Sequence, residues 1–238
     1  MEERKHIVIL AAGDFPSHPV PLRALHEADF VVCCDSAYSE WKEESGKWKE
    51  KIPFVVVGDG DSLPEADKRT LGDRWLEVSE QDYNDLHKAM DYAMVEGGRR
   101  KAEDGAPYDL RPPTSDLKVT ILGATGRRED HTLGNISYLV TFAEEHPGAD
   151  IEMLTDHGRF VAMRGSRAFR SFPRQQVSIF SMNPDNAISG TALRWPLDGF
   201  HARRWWQATL NEALGDSFTL TAEDWLVVFL TYEPKGEQ

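Results

Sequence analysis

The sequence predicts an α/β protein, with a mostly parallel sheet covered by helices, followed by a smaller all-β sandwich domain. Three observations lead there. Short apolar runs alternate with segments of helical spacing through the first two-thirds of the chain. Each of these runs ends at a Gly or an Asp. After about residue 150 the helical spacing stops and short strand-like runs follow one another between turn residues.

The strands of the first part are expected at His6–Leu10, Phe30–Cys34, Phe54–Val57 and Lys118–Leu122, all β-branched or apolar. Leu86, Ala89, Met90, Ala93 and Met94 recur at i, i+3, i+4, i+7 and i+8, one face of a helix. Leu133, Ile136, Val140 and Ala143 suggest a second helix, stopped by Pro147-Gly148. The polar stretch Glu96–Asp116, with six Gly and Pro positions at 97, 98, 105, 107, 112 and 113 among its residues, reads as a long surface loop. In the second part, Ile151–Thr155 and Phe160–Arg164 flank a hairpin-like connection. Val177–Ser181, Leu193–Trp195, Phe218–Thr221 and Trp225–Tyr232 read as further strands. The expected domains are therefore 1–150 and 151–238.

Composition narrows the function. With 40% hydrophobic and 28% charged residues the 238-residue chain has an ordinary globular balance. No run approaches the roughly 18 apolar residues of a membrane span, and the short run at Ile7–Ala12 is too brief for a secretory core, so a cytoplasmic location and no membrane partner are expected. The two cysteines, Cys33 and Cys34, are neighbours, a spacing that strains a disulfide, and read as buried thiols. A net charge of −13 repels nucleic acid and free nucleotide alike. A nucleotide site on such a surface calls for a divalent cation.

The chemistry concentrates at strand ends. Phe54–Val57 runs into Gly58-Asp-Gly-Asp-Ser62, where Gly60 lets the chain turn and bring Asp59 and Asp61 together. Two such charges about 4 Å apart repel by about 4 kcal/mol at an effective dielectric near 20. Hard carboxylate oxygens suit Mg²⁺. The plain alternative is a turn of solvated carboxylates. Glu80 to Lys88 opens the first helix, with Asn84 or a neighbour as cap. Asp85 and Lys88 share one face, either as a surface ion pair or as a metal ligand beside a phosphate-binding ammonium. After the strand at Lys118, the run Gly123 to Asn135 offers glycines for close approach to phosphate, Arg127 and Arg128 as donors, and His131 and Asn135 one turn apart. Asp35 adds a carboxylate at another strand end.

Over nearly its whole length, this pattern resembles the thiamine pyrophosphokinases. Asp35-Ser-Ala37 is similar to that family's strand-end Asp motif, and Gly58–Ser62 matches its Gly-Asp-x-Asp-Ser in full. Gln81, Asp85 and Lys88 fit its helix-start motif, from which Glu80 and Asn84 depart. Gly126, Arg128, Asp130, His131 and Asn135 fit its Gly-Gly-Arg-x-Asp-His-x-x-x-Asn, with Arg127 in place of the second Gly. Thr191 to Leu197 resembles Gly-Leu-Lys-Trp-x-Leu, and Ala208 to Glu212 resembles Ser-x-Ser-Asn-Glu.

The resemblance implies transfer of diphosphate from ATP to the hydroxyl of thiamine, with Mg²⁺ held by Asp59, Asp61 and Asp85. It implies that Lys88 and Arg128 neutralise phosphate. Asp35, Gln81, Gly126, Asp130, His131 and Asn135 are expected on the nucleotide side, and Trp195, Thr209 and Asn211 around thiamine. It also implies a homodimer with shared sites. Two alternatives stand beside it. One is a haloacid-dehalogenase-type phosphatase with Asp59 as nucleophile; the other is a sensor of thiamine or nucleotide that does not turn over.

Overall fold

The computed structural model describes residues 4–48, 51–98 and 117–236. It divides into two compact units, one of Met1–Tyr138 with Glu145–Asp156 and one of Leu139–Glu144 with His157–Gln238.

The first unit is built on six parallel strands: β1 (Lys5–Leu10), β2 (Phe30–Cys34), β3 (Phe54–Gly58), β4 (Trp75–Glu77), β5 (Leu117–Leu122) and β6 (Asp150–Leu154). Their order is β6-β5-β1-β2-β3-β4. The inner strands are buried along nearly their whole length, as near-continuous Val, Ile and Leu runs require when both faces are covered. Among the described residues five α-helices connect them: α1 (Pro19–His26), α2 (Tyr38–Ser45), α3 (Glu65–Leu71), α4 (Asp85–Gly98) and α5 (Glu129–Glu145). The chain leaves β1 toward β2 on one side and returns to β5 on the other, so its switch point lies between β1 and β5. Open α/β sheets bind ligands at the carboxyl side of such a point.

Helix α4 packs across β1, β2 and β3. Leu86, Ala89, Met90, Ala93 and Met94, the stripe expected from spacing, are all buried. Burying Met90 and Leu86 alone contributes about 1.5–3 kcal/mol each. Helix α5 differs from expectation, because its buried apolar residues are Leu139 and Phe142 while Leu133 is exposed. Cys33 and Cys34 are buried free thiols in β2. Among the described residues, no helix is long and apolar enough to cross a membrane.

Three strand and loop assignments need correction. Ile151–Thr155 does not begin the all-β part, because Asp150–Leu154 pairs in parallel with β5 as an outer strand of the first sheet. Glu96–Gly98 continues α4, and the remainder of the expected loop, 99–116, lies outside the described residues. Leu193–Trp195 forms only an isolated bridge from Leu193 to Ala213, since Trp195 and its neighbours turn outward to the surface.

The second unit contains β7 (Gly158–Arg170), β8 (Gln175–Ser181), β9 (Ala187–Thr191), β10 (Leu197–His201), β11 (Asn211–Glu212) and β12 (Ser217–Pro234). All its pairings are antiparallel. Expected as two strands, β12 is a single long one with an irregularity between Ala222 and Leu226. Its first half pairs with β9 and its second with β8, while β7 runs along its other edge throughout. The irregularity thus lets one strand serve two sheet segments. Between them lies a core that includes Met163, Phe169, Ile179, Phe218, Leu220 and Val228.

Candidate functional site

The loops after β1 and β5 set the floor of the first unit's cleft. The Gly13 amide donates to the Gly123 carbonyl at 2.5 Å, and the Asp14 amide to Thr125 at 2.9 Å. A side chain at 13 would overlap the carbonyl oxygens of Gly123 and Thr125, so only glycine permits this approach. Gly126 has φ +109° and lies against the Asp14 carboxylate. Position 127 lacks a positive φ, so Arg127 costs the backbone nothing there; its guanidinium pairs with Glu40.

Above that floor is a cleft of about 310 Å³. Asp85, Arg128, His131 and Asn135, four of the residues expected from sequence, line it. So do Ala11, Ala12, Gly13, Ser36, Thr125 and Thr132, which sequence reasoning did not single out. The available signal was the Ala-Ala-Gly-Asp run at the end of β1, a strand-end glycine like the others. Asn84 accepts from the His87 amide at 3.1 Å and so caps α4. Its amide nitrogen also reaches Asn135 at 3.4 Å, and Asn135 donates to the Ala124 carbonyl at 2.9 Å. These contacts tie the N-terminus of α4 to the β5 loop and α5. Unpaired helix N–H groups at such ends favour an anion.

Of the three carboxylates expected to hold metal, Asp85 lines the cleft and Asp59 and Asp61 do not. The Asp61 amide donates to Asp59 at 3.1 Å and the Gln81 side chain donates to its second oxygen at 3.1 Å. Those bonds hold the Asp59 carboxyl below its usual value, the Asp61 amide most of all. Asp85 goes the other way: burial raises its pKa first, and the carboxylates of Asp35 and Asp59 raise it further, against the opposing pull of Lys88. Lys88 stands 3.4 Å from Asp85 with its side chain only 4% exposed. Burial also pushes up the Cys34 thiol at the cleft wall, so it is neutral.

Asp61 is exposed on the turn. Lys68, which the sequence did not single out, places its ammonium against Gly60. Asp130 is exposed and forms a two-point ion pair with Arg128 at 2.6 and 3.1 Å, which lowers its pKa. Exposed pairs of this kind contribute little, because water screens both charges, so Arg128 is readily released to an anion. Asp35 is 2% exposed and does not line the cleft, although its neighbours Cys34 and Ser36 do.

Among the described residues, no three His, Cys, Asp or Glu side chains stand together as a ready-made metal group. The donor chemistry nevertheless fits Mg²⁺. That ion is commonly held by one or two carboxylates with water and substrate phosphate completing the shell, and Asp85 carries negative charge that Lys88 does not fully offset.

In the second unit, Asn211 is buried and engaged by main chain. Its amide donates to the Trp195 carbonyl at 2.8 Å and accepts from the Trp195 and Glu212 amides. It clips the loop that presents Trp195, whose ring is half exposed with the Arg194 guanidinium 5.0 Å from its centre. Arg194 is held in turn by the Glu212 carboxylate at 2.9 Å. The Thr209 hydroxyl donates to the Trp206 carbonyl at 2.8 Å.

Fold and cleft define a two-unit protein: an α/β unit with a cleft at the carboxyl edge of a parallel sheet, and an all-β unit that displays an aromatic loop. Residues 22–152 match the family described as "Thiamin pyrophosphokinase, catalytic domain", and 158–229 the one described as "Thiamin pyrophosphokinase, substrate-binding domain". A rice protein (Oryza sativa subsp. japonica) named thiamine pyrophosphokinase 1 is 29% identical over 159 residues, 61% of this chain and 53% of that protein. The chain thus spans about half the length of this curated relative. Thiamin pyrophosphokinase from Candida albicans superposes with a TM-score of 0.76 at 16% identity, over 97% of this chain and 94% of that one. The yeast enzyme gives 0.77 at 14% identity, over 97% and 87%. That from Geobacillus thermodenitrificans gives 0.68 at 22%, over 97% and 99%. At these identities the likeness is one of fold. The chain belongs to the thiamin pyrophosphokinase family. Neither the phosphatase nor the sensor alternative finds support in these likenesses.

Proposed function

We propose that this chain transfers diphosphate from ATP to the hydroxyl of thiamine, with Mg²⁺ as cofactor. The observation that carries the reading is Asp85. It lines the cleft at the N-terminus of α4, with its negative charge reinforced by Asp35 and Asp59 and only partly offset by Lys88. A cation-bridged polyphosphate satisfies that charge, and the helix N-termini beside it favour the phosphate oxygens.

In the reaction the thiamine oxygen bonds to the β-phosphorus, the bond from that phosphorus to the α–β bridging oxygen breaks, and AMP leaves while the hydroxyl gives up its proton. Such transfers rest on positioning and charge stabilisation. Asp59, Asp61 and Asp85 would hold Mg²⁺, and the ion would supply charge neutralisation for the phosphate groups. Lys88 and Arg128 neutralise further phosphate oxygens, Arg128 after leaving Asp130. Gln81 orients Asp59, Asn135 orients the cap of α4, and Gly126, Asp130 and His131 complete the nucleotide side.

The domain division follows from the same reading, nucleotide and metal in the first part and thiamine in the second. Trp195 offers a ring face to the thiamine cation, worth about 0.5–2 kcal/mol, with Asn211 holding its loop and Thr209 beside it. A homodimer in which both parts serve each reaction, and a cytoplasmic location, belong to the proposal. Incubating purified protein with ATP, thiamine and Mg²⁺ tests it: thiamine diphosphate and AMP should appear together, and neither should form after chelation. Asp61→Asn should lower the rate by roughly two to four decades, or about 3–5 kcal/mol of barrier. Release of inorganic phosphate from ATP without thiamine would refute it.

A further inference from the structure

Asp35 stands at a strand end beside the cleft, yet all of its polar contacts turn inward. One carboxylate oxygen accepts from the Ser36 amide at 2.5 Å and the other from the Gly60 amide at 3.0 Å. The backbone of Gly58 lies directly against it, so that a Cβ at position 58 would sit 2.7 Å from the Asp35 Cγ. Gly60, at φ +84°, is the middle of the turn that carries Asp59 and Asp61. The Lys68 ammonium lies against the same glycine, 2.8 Å from where its Cβ would be. The turn is therefore held at its centre by a buried carboxylate, with the Lys68 ammonium, itself paired with Glu65, packed against the same glycine.

We propose that Asp35 is a positioning residue: it fixes the turn that aims Asp59 and Asp61, and so sets the affinity for the divalent cation, without contacting nucleotide. The inference deepens the reading given under Proposed function and rests on it. An acceptor at this position is obligatory. The Gly60 amide is buried, and a buried N–H without a partner is strongly disfavoured. Asn at 35 offers one acceptor oxygen to two amides and must leave one of them facing an NH₂ group. Gly58 is the complementary half of the device, because only a residue without a side chain leaves room for the carboxylate.

The test uses the full chain with Mn²⁺ as probe and a non-hydrolysable ATP analogue, following bound Mn²⁺ by electron paramagnetic resonance. Asp35→Asn and Gly58→Ala should each weaken Mn²⁺ binding at least tenfold. Analogue affinity without metal, and the KM for thiamine, should stay within twofold of wild type. Gly58→Ala keeps the Asp35 charge and displaces only its position, so a shared loss separates positioning from plain electrostatic attraction. Unchanged Mn²⁺ affinity in folded Asp35→Asn protein overturns the proposal. So does a tenfold loss of metal-free analogue affinity, which would make Asp35 a nucleotide ligand. If wild-type protein with the analogue binds no Mn²⁺, the metal reading under Proposed function falls, and this inference with it.

Discussion

Ala192 and Leu210 have φ of +59° and +60°, a backbone region that L-residues enter at a cost of about 1–2 kcal/mol. Both lie in segments that flank Trp195, and the family's pattern has glycine where this chain has Ala192. Replacing Ala192 by Gly relieves that strain but loosens the unfolded chain, which costs about 0.4–1 kcal/mol. Relief wins narrowly, so thermal melts should show Ala192→Gly stabilised by roughly 0.5 kcal/mol. Leu210→Asn should gain about 0.5–1 kcal/mol, because Asn tolerates this region without the entropy of glycine and removes an exposed apolar side chain. A lower melting temperature in either variant would mean that the strain is imaginary. Asp85 makes a second claim at this scale. Burial and two neighbouring carboxylates raise its pKa above the usual 3.8, so as pH falls it takes up its proton earlier than an ordinary carboxylate. The ionised form's cost is absent below the unfolded value and full above the folded one. A divalent cation favours the ionised form and pulls the pKa down. The acid limb of turnover should therefore move to lower pH as Mg²⁺ is raised, and a limb indifferent to Mg²⁺ would place the limiting proton elsewhere. Asp85, Arg128, His131 and Asn135 of the cleft lining were legible residue by residue, because charged and amide side chains beside strand ends announce themselves. Asp35 was not: its identity is visible in sequence, but its two backbone donors come from the fold.

At the scale of elements, what could be read was whatever burial repeats. The inner strands β1, β2, β3 and β5 are continuous apolar runs, and the stripe of α4 is regular, so both declared themselves. Three-residue β4 could not, since two of its residues are exposed and its pairing to β3 supplies the order. The break in β12 at Ala222–Leu226 looked like a turn because Glu223 and Asp224 interrupt the apolar pattern, yet the strand passes through it. The start of α4 is the element on which the cleft depends most. Asn84 there caps the helix and reaches Asn135, so Asn84→Ala should cost about 0.5–2 kcal/mol in denaturant unfolding. It should also reduce turnover, because the α4 terminus loses its tie to the β5 loop. Asn84→Thr retains a capping oxygen and should fold within about 0.5 kcal/mol of wild type, showing that this departure from the family's pattern is tolerated. Equal losses for Thr and Ala would mean that the tie to Asn135 matters more than the cap.

For the whole molecule the governing quantity is a charge of −13. Its field opposes a polyanionic nucleotide and attracts cationic thiamine, so the two proposed substrates approach under forces of opposite sign. Inside the cleft the sign is locally mixed, because Arg128 and Asp85 both line it, and contact there is short-ranged. The approach from solvent is not. The screening length shrinks from about 30 Å at 0.01 M salt to about 8 Å at 0.15 M, less than the reach of the surface field. Over that range, stopped-flow association of a non-hydrolysable ATP analogue should speed up by about two- to tenfold, and association of thiamine should slow by a similar factor. Adding Mg²⁺ removes part of the nucleotide's charge and should flatten the first dependence while leaving the second intact. If both rates moved in the same direction with salt, local charge at the cleft rather than net charge would control capture.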